Sequence, residues 1–185
     1  MRVIAGRFGG RRLSSPRGRT TRPTSDRVRE ATFALLGSVL DAGVLDLFAG
    51  TGALGIEALS RGAQRAVFVE RDARAARALR GNLESLGLES PDAEVREMDA
   101  LAALRSARAR RETYDLVFID PPYRHLPALE QALDDLLPAL LAPSARVVLE
   151  SDRREHVELT AETGRLEIDQ QRRYGDTTIT IHRYA

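Results

Sequence analysis

Residues 44–55 read VLDLFAGTGALG, an apolar run that passes directly into a glycine-rich loop. The run 44–49 predicts a buried strand, and the pattern Gly50-x-Gly52-x-x-Gly55 predicts a tight turn into a helix over 53–61. Glycines let the backbone approach a ligand closely, and the N-terminus of a helix adds a partial positive charge. This stretch therefore predicts a nucleotide-binding strand–loop–helix unit.

Strand and helix patterns alternate on the C-terminal side of this unit. The further predicted strands are 65–70, 93–98, 114–119, 145–150, 165–173 and 177–184. The helices between them are predicted at 73–86, 100–108 and 127–140. Continuous apolar runs are typical of strands buried on both faces of a parallel sheet, and the last two strands suit an antiparallel hairpin. We predict an α/β fold with a Rossmann-like, mostly parallel seven-stranded sheet and helices on both faces.

The N-terminal segment is basic, whereas the rest of the chain is acidic. Residues 1–29 carry nine Arg against one acid, a net charge of +8, and the remainder carries 19 Arg against 26 acids, a net charge of −7. Residues 1–14 predict a short β-hairpin, and a helix capped by Thr24 or Ser25 is expected to run to about Leu40. We predict a basic arm over 1–23 and a single domain over 24–185.

The composition excludes several classes of protein. The chain of 185 residues has no Cys and only three scattered His, so neither a disulfide framework nor a thiolate or histidine metal site is expected. No apolar run reaches the ~18 residues of a membrane span, and the N-terminus lacks the apolar region of a secretory signal. We expect a cytoplasmic protein that needs no metal.

Three acidic residues follow three successive predicted strands. Asp46 lies just before the glycine loop, Glu70 closes the second strand and Asp99 follows the third. Because ligands bind beyond the carboxyl ends of a parallel sheet, these acids can meet an ammonium, two ribose hydroxyls and an adenine amino group. This pattern favours S-adenosylmethionine over NAD, although each acid taken alone can also be a helix N-cap.

A second motif, Asp120-Pro121-Pro122-Tyr123, follows the apolar strand 114–119. Each proline fixes its own φ and restricts the residue before it, so the carboxylate and carbonyl groups are held in one orientation. A carboxylate, a rigid backbone and an aromatic ring together suit the binding of a flat amino group. The motif predicts a methyl-acceptor site that works by positioning.

These motifs resemble the class I S-adenosylmethionine-dependent amino-group methyltransferases. The N-terminal segments 2–6 (RVIAG) and 21–30 (TRPTSDRVRE) are similar to the RsmD family, which methylates the N2 amino group of a guanine in 16S ribosomal RNA. The resemblance implies S-adenosyl-L-methionine as cofactor and S-adenosyl-L-homocysteine as product. It implies a catalytic set of Asp120, Pro121, Pro122 and Tyr123. It implies a cofactor-binding set of Asp46, Phe48, Ala49, Gly50, Thr51, Gly52, Gly55, Glu70, Arg71, Asp99 and Ala100.

The basic arm predicts a partner rich in phosphate, because nucleic-acid affinity depends largely on phosphate neutralisation. Ribosomal RNA or an assembling small ribosomal subunit is the expected partner of a monomeric protein. The predicted RNA-binding residues are Arg7, Arg11, Arg12, Arg17, Arg19, Arg22 and Arg124.

Three other functions remain open from the sequence. The same fold can methylate adenine N6 or cytosine N4 in DNA, another RNA or a protein amide. The glycine loop also fits an NAD-dependent oxidoreductase. A non-catalytic RNA-binding factor with an inactive cofactor pocket is the third alternative.

Overall fold

A computed structural model of the chain describes residues 1–15, 25–121, 126–152, 159 and 166–185, and for residues 126–128 it describes the backbone alone. The helices are α1 (Asp26–Leu36), α2 (Ala53–Ser60), α3 (Ala73–Ser85), α4 (Ala100–Ala109) and α5 (Leu126–Leu136), the last followed by a 3-10 turn (Leu137–Leu140). The strands are β1 (Gly43–Asp46), β2 (Arg65–Val69), β3 (Ala93–Arg96), β4 (Tyr114–Ile119), β5 (Leu141–Asp152), β6 (Leu166–Tyr174) and β7 (Thr177–Tyr184).

The seven strands form one sheet in the order β3-β2-β1-β4-β5-β7-β6. Strands β1 to β5 run parallel, and β7 runs antiparallel to both of its neighbours. Asp46, the last residue of β1, pairs with Phe68 of β2 and Phe118 of β4, so three strands end at the same edge. The predicted α/β fold with a mostly parallel seven-stranded sheet is confirmed.

Alternate residues of each central strand enter different apolar cores. Val44 and Phe118 pack into one core with residues of α1, α2 and α3. Leu45 and Val117 pack into a second core with residues of α4, α5 and the 3-10 turn. Because both faces of the sheet are covered, its central strands are apolar at successive positions, as the sequence pattern indicated.

Several predicted element boundaries were wrong. Strand β5 covers Leu141–Asp152 where 145–150 was predicted, and β3 ends at Arg96 where 98 was predicted. Helix α1 ends at Leu36, because Gly37 turns the chain with φ +68° and donates its N–H to Phe33, which leaves Leu40 66% exposed. Strand β1 ends at Asp46, because the following residues already form the turn toward α2. The α-helical part of α5 ends at Leu136, and the remaining predicted residues form the 3-10 turn. Strand β4 has its predicted bounds.

Residues 1–14, called here the N-terminal hairpin, fold back on themselves as predicted. An antiparallel bridge joins Arg2 to Arg12, and the N–H of Val3 donates to the carbonyl of Arg11 at 2.9 Å. The buried side chains of Val3 and Leu13 belong to the core that contains α2 and α3. The end of the predicted arm, residues 16–23, lies outside the described residues.

Two buried side chains of α2 hold the N-terminal hairpin through its backbone. The Glu57 carboxylate accepts the N–H groups of Ile4 at 2.7 Å and Ala5 at 3.0 Å. The Ser60 hydroxyl donates to the carbonyl of Ala5 at 2.5 Å and accepts the N–H of Phe8 at 3.0 Å. Polar groups that are buried with their hydrogen bonds made favour one docked arrangement, so the hairpin is part of the folded domain.

Within the described residues, no helix combines the length and the apolar character needed to cross a membrane.

Candidate active site

The glycine loop connects the end of β1 to the start of α2. Gly52 caps α2 in a left-handed conformation with φ +85°, and a Cβ atom there would lie 2.3 Å from Leu79 Cδ1. A Cβ atom on Gly55 would lie 2.3 Å from the ring of Phe68. Both positions therefore require glycine, the first for its backbone angle and its packing and the second for its packing alone.

Asp46 lies beneath this loop and is 2% exposed. Its Oδ2 atom accepts the N–H of Gly55 at 3.0 Å, which ties the end of β1 to the first turn of α2. Burial raises the pKa of Asp46 from 3.8 to about 7; the Gly55 hydrogen bond opposes this rise and the charge of Glu70 adds to it. Its predicted contact with a ligand ammonium stays a prediction.

Glu70 joins the glycine loop to the loop that follows β2. Its Oε2 atom accepts the N–H of Gly50 at 2.8 Å, and its Oε1 atom accepts the N–H of Asp72 at 2.7 Å. The side chain is half-buried, whereas the neighbouring Arg71 is exposed. The structure thus brings Glu70 and the glycine loop together, and the predicted ribose contact remains untested.

Asp99 caps helix α4, which is the alternative that the sequence left open for each of the acids. Its Oδ1 atom accepts the N–H groups of Leu101 at 2.9 Å and Ala102 at 3.3 Å. Asp99 is exposed and the adjacent Ala100 is buried. Capping does not use every acceptor of a carboxylate, so a contact with an adenine amino group stays a prediction.

The Asp120-Pro121 pair follows β4, the strand beside β1. The N–H of Leu47 donates to the carbonyl of Phe118 at 3.0 Å, so the chain entering the glycine loop runs beside the end of β4. Asp120 is half-buried and Pro121 is buried. The other predicted members of this motif, Pro122 and Tyr123, lie outside the described residues, as does Arg124.

The predicted RNA-binding arginines are only partly described. Arg7, Arg11 and Arg12 are exposed on the N-terminal hairpin. The Arg7 guanidinium lies 4.5 Å from the centre of the Phe8 ring, and Arg11 donates to the carbonyl of Ser85 at 2.8 Å. The predicted residues Arg17, Arg19 and Arg22 fall outside the described residues.

Sequence reasoning missed two polar residues near the glycine loop. Asp72 caps α3 by accepting the N–H groups of Arg74 at 3.1 Å and Ala75 at 2.9 Å. Asn82 is buried on α3 and donates to the carbonyl of Thr51 at 2.9 Å. The available signal was the position of Asn82, three residues after the buried Leu79 on the apolar face of the helix.

A parallel sheet with one reversed strand, β7, and a glycine loop opposite an Asp-Pro corner define a class I methyltransferase. Comparisons with known proteins agree. A family model described as conserved hypothetical protein 95 matches residues 1–183. The chain is also 38% identical to ribosomal RNA small subunit methyltransferase D of Haemophilus influenzae over 83% of this chain and 79% of that protein. It therefore belongs to the RsmD family of methyltransferases, as its motifs indicated.

Several relatives illustrate the match. The chain is 41% identical to the YlbH protein of Bacillus subtilis (strain 168) over 99% of this chain and 98% of that protein. It is 40% identical to ribosomal RNA small subunit methyltransferase D of Escherichia coli (strain K12) over 82% of this chain and 75% of that protein. The solved structure of the Thermus thermophilus protein TTHA0928 superposes with a TM-score of 0.82 at 31% identity, covering 98% of both chains.

One more distant structure shows the same fold. It is the Thermus thermophilus 16S rRNA N2 G1207 methyltransferase in complex with AdoMet and guanosine. It has a TM-score of 0.70 and 24% identity, covering 90% of this chain and 45% of that chain.

Proposed function

We propose that this protein transfers a methyl group from S-adenosylmethionine to the exocyclic N2 of a guanine in 16S ribosomal RNA. The relatives named ribosomal RNA small subunit methyltransferase D support the substrate class. The observation that carries the reaction type is the position of Asp120 and Pro121 after β4, beside the glycine loop that follows β1.

The residues around the glycine loop fit the proposed cofactor. Apart from its two neighbours in the chain, no described residue has an atom within 4 Å of the position that a Cβ atom on Gly50 would take, which is consistent with room for a ligand beside the loop. Glu70 and Asp99 supply carboxylates after the next two strands, where hydroxyl and amino groups of an adenosyl group can donate to them. S-adenosylmethionine supplies an already activated methyl group when it is bound.

The acceptor nitrogen needs help from the protein because its lone pair is delocalised into the guanine ring. Asp120 and the carbonyl of Pro121 accept its two N–H bonds, which lets the nitrogen become pyramidal and direct its lone pair at the methyl carbon. Transfer would release S-adenosylhomocysteine, and the alkylated nitrogen, whose pKa has fallen sharply, then loses its surplus proton to water or to Asp120. Tyr123 stacks on the base and stabilises the positive charge that develops there. Holding the two reactants in alignment can lower the activation free energy by as much as about 7–11 kcal/mol.

The RNA side of the proposal rests on charge. A target base has to leave its stack to reach the corner after β4, and single-stranded loops make this least costly. The exposed arginines of the N-terminal hairpin then bind flanking phosphates and orient the RNA without reading its sequence. We expect the protein to act on ribosomal RNA or on an assembling small subunit. We also expect it to be a monomer, which the mass of the purified protein in a sedimentation experiment would test.

The decisive assay measures transfer of a labelled methyl group to purified 16S RNA, small-subunit particles, DNA and a protein fraction. Digestion of the labelled product and mass spectrometry then identify the modified nucleoside. N2-methylguanine in the ribosomal RNA is expected. Label in adenine N6, cytosine N4 or protein would replace the proposed substrate with one of the alternatives. Thermal shift with S-adenosylhomocysteine, and none with NAD, is expected to separate the methyltransferase from an oxidoreductase.

A pair of substitutions at the two ends of β4, one of them just after its last residue, tests the role of Asp120. Asp120→Ala is expected to reduce turnover by at least about 100-fold while calorimetry finds S-adenosylhomocysteine affinity nearly unchanged. Asp115→Ala is the matched control, because Asp115 lies at the opposite end of β4 and accepts the N–H of Gly43 at 2.8 Å. It should lose about 1 kcal/mol of stability and keep its turnover. Near-normal turnover of Asp120→Ala would contradict the proposed mechanism.

A further inference from the structure

Asn82 forms hydrogen bonds in two directions from the buried face of α3. Its side chain is 2% exposed. Its Oδ1 atom accepts the N–H of Ser14 at 2.7 Å, and its Nδ2 atom donates to the carbonyls of Ser14 at 3.0 Å and Thr51 at 2.9 Å. These bonds use the acceptor and both donor hydrogens of the carboxamide. One side chain thus joins the end of the N-terminal hairpin to the middle of the glycine loop.

A second contact joins the same two segments. The hydroxyl of Thr51 donates to the sulfur of Met1 at 3.8 Å, and the carbonyl of Met1 accepts the N–H of Leu13 within the hairpin. The neighbouring residue of the loop, Gly50, is held from the other side by Glu70. The contacts described for Gly50 and Thr51 thus come from the loop after β2, through Glu70, from α3, through Asn82, and from the hairpin, through Met1.

We propose that Asn82 is a positioning residue that couples docking of the N-terminal hairpin to the geometry, and so the ligand affinity, of the glycine loop. The inference rests on the proposed function only in taking the glycine loop as the cofactor site. Coupling of this kind is reciprocal: a docked hairpin favours cofactor binding, and a bound cofactor favours the docked hairpin by the same factor. The basic hairpin then affects cofactor affinity in addition to binding RNA.

Asn82→Asp is the sharpest test because it preserves the size and shape of the side chain. The carboxylate still accepts the N–H of Ser14, but it opposes the carbonyls of Ser14 and Thr51 with oxygen where a donor stood. Leaving buried polar groups unsatisfied in this way predicts roughly tenfold weaker binding of S-adenosylhomocysteine by calorimetry. The matched control is Ser14→Ala, which should bind as the wild type does because the hydrogen bonds described between Asn82 and Ser14 use the main chain of Ser14.

Hydrogen exchange of the hairpin amides supplies a readout that a merely structural role would not change. If opening of the hairpin abolishes cofactor binding, S-adenosylhomocysteine at about ten times its Kd should slow exchange at Ile4 and Ser14 by roughly tenfold in the wild type. In Asn82→Asp this protection should largely disappear. The comparison uses amides that exchange faster than those of β5, so that global unfolding is excluded.

The outcomes separate the inference from the proposed function. If the wild type does not bind S-adenosylhomocysteine, the proposed function fails. If the wild type binds it and folded Asn82→Asp binds it within about twofold, the coupling is overturned and the proposed function stands. If Asn82→Asp does not fold, Ser60→Ala tests the coupling in its place. This substitution removes the hydrogen bonds of the Ser60 hydroxyl to Ala5 and Phe8 of the hairpin and leaves the residues of the glycine loop unchanged. Faster hairpin exchange with weaker binding supports the coupling, and faster exchange with unchanged binding overturns it.

Discussion

The buried carboxyl of Asp46 makes stability depend on pH in an unusual direction. Its pKa is raised from 3.8 to about 7 in the folded protein, so the folded state holds a proton that the unfolded chain has already lost. The contribution of this proton to the free energy of unfolding is fully present below about pH 4 and is lost as the pH rises toward 7. At 1.36 kcal/mol for each pKa unit, the whole penalty for ionising Asp46 is roughly 4 kcal/mol.

Asp46→Asn removes this titration and keeps an oxygen that can accept the N–H of Gly55. Between pH 5 and pH 8 we expect the free energy of unfolding of Asp46→Asn to rise relative to that of the wild type by about 2–3 kcal/mol, because this part of the ionisation penalty falls between these two pH values. Urea denaturation at each half pH unit, followed by circular dichroism, measures the difference.

Asp115→Asn controls for the loss of one formal charge, since Asp115 is exposed and also accepts a backbone N–H, that of Gly43. For Asp115→Asn, the difference in free energy of unfolding from the wild type should not grow between pH 5 and pH 8. A difference between Asp46→Asn and the wild type that stays constant within about 0.5 kcal/mol from pH 5 to pH 8 would refute the argument that burial governs the Asp46 carboxyl.

Three further predictions concern packing, capping and RNA. Gly55→Ala should destabilise the protein by about 1–3 kcal/mol in thermal or urea unfolding, because the new Cβ collides with the ring of Phe68. Gly81→Ala, on the open side of α3, should instead stabilise it by about 0.5–1 kcal/mol, and equal effects would contradict the steric argument. Ser25→Ala should cost about 1 kcal/mol, since the Ser25 hydroxyl caps α1, and an unchanged melting temperature would remove that role. The dependence of RNA affinity on salt should become shallower when Ala replaces Arg7, Arg11 and Arg12, by about 0.7 in slope for each phosphate that is no longer neutralised; an unchanged slope would exclude these side chains from RNA binding.

The fold could be predicted because its determinants are local in the sequence. The apolar run of β4 and the glycines after β1 indicate strands, turns and a mostly parallel sheet without knowledge of any distant contact. The boundaries that failed depended on one backbone angle, as at Gly37, or on where a ladder of hydrogen bonds stops, as at Asp46. Neither quantity is expressed in the periodicity of side chains.

The sequence predicted the acidic residues of the site, because each of them follows a predicted strand. It did not predict which backbone groups the oxygens of these acids bind. The sequence indicated that Glu70 lies near the glycine loop, but not that it accepts the N–H of Gly50. Asn82 was missed because its partners, Ser14 and Thr51, are 68 and 31 residues away along the chain. Main-chain partners leave no residue-type signal, since any amino acid presents the same carbonyl.

The carboxylate of Glu57 has a consequence for the evolution of such enzymes and for their engineering. It is wholly buried, and besides Arg61 the bonds described for it go to the backbone of residues 4 and 5. Deleting the basic extension would leave Arg61 as the described partner of this carboxylate and remove two backbone N–H donors from it, a loss of about 1–3 kcal/mol. The extension is therefore not an interchangeable module: a lineage that discards it also loses two partners of position 57, and a graft onto another methyltransferase needs an acidic side chain there to accept the two N–H groups.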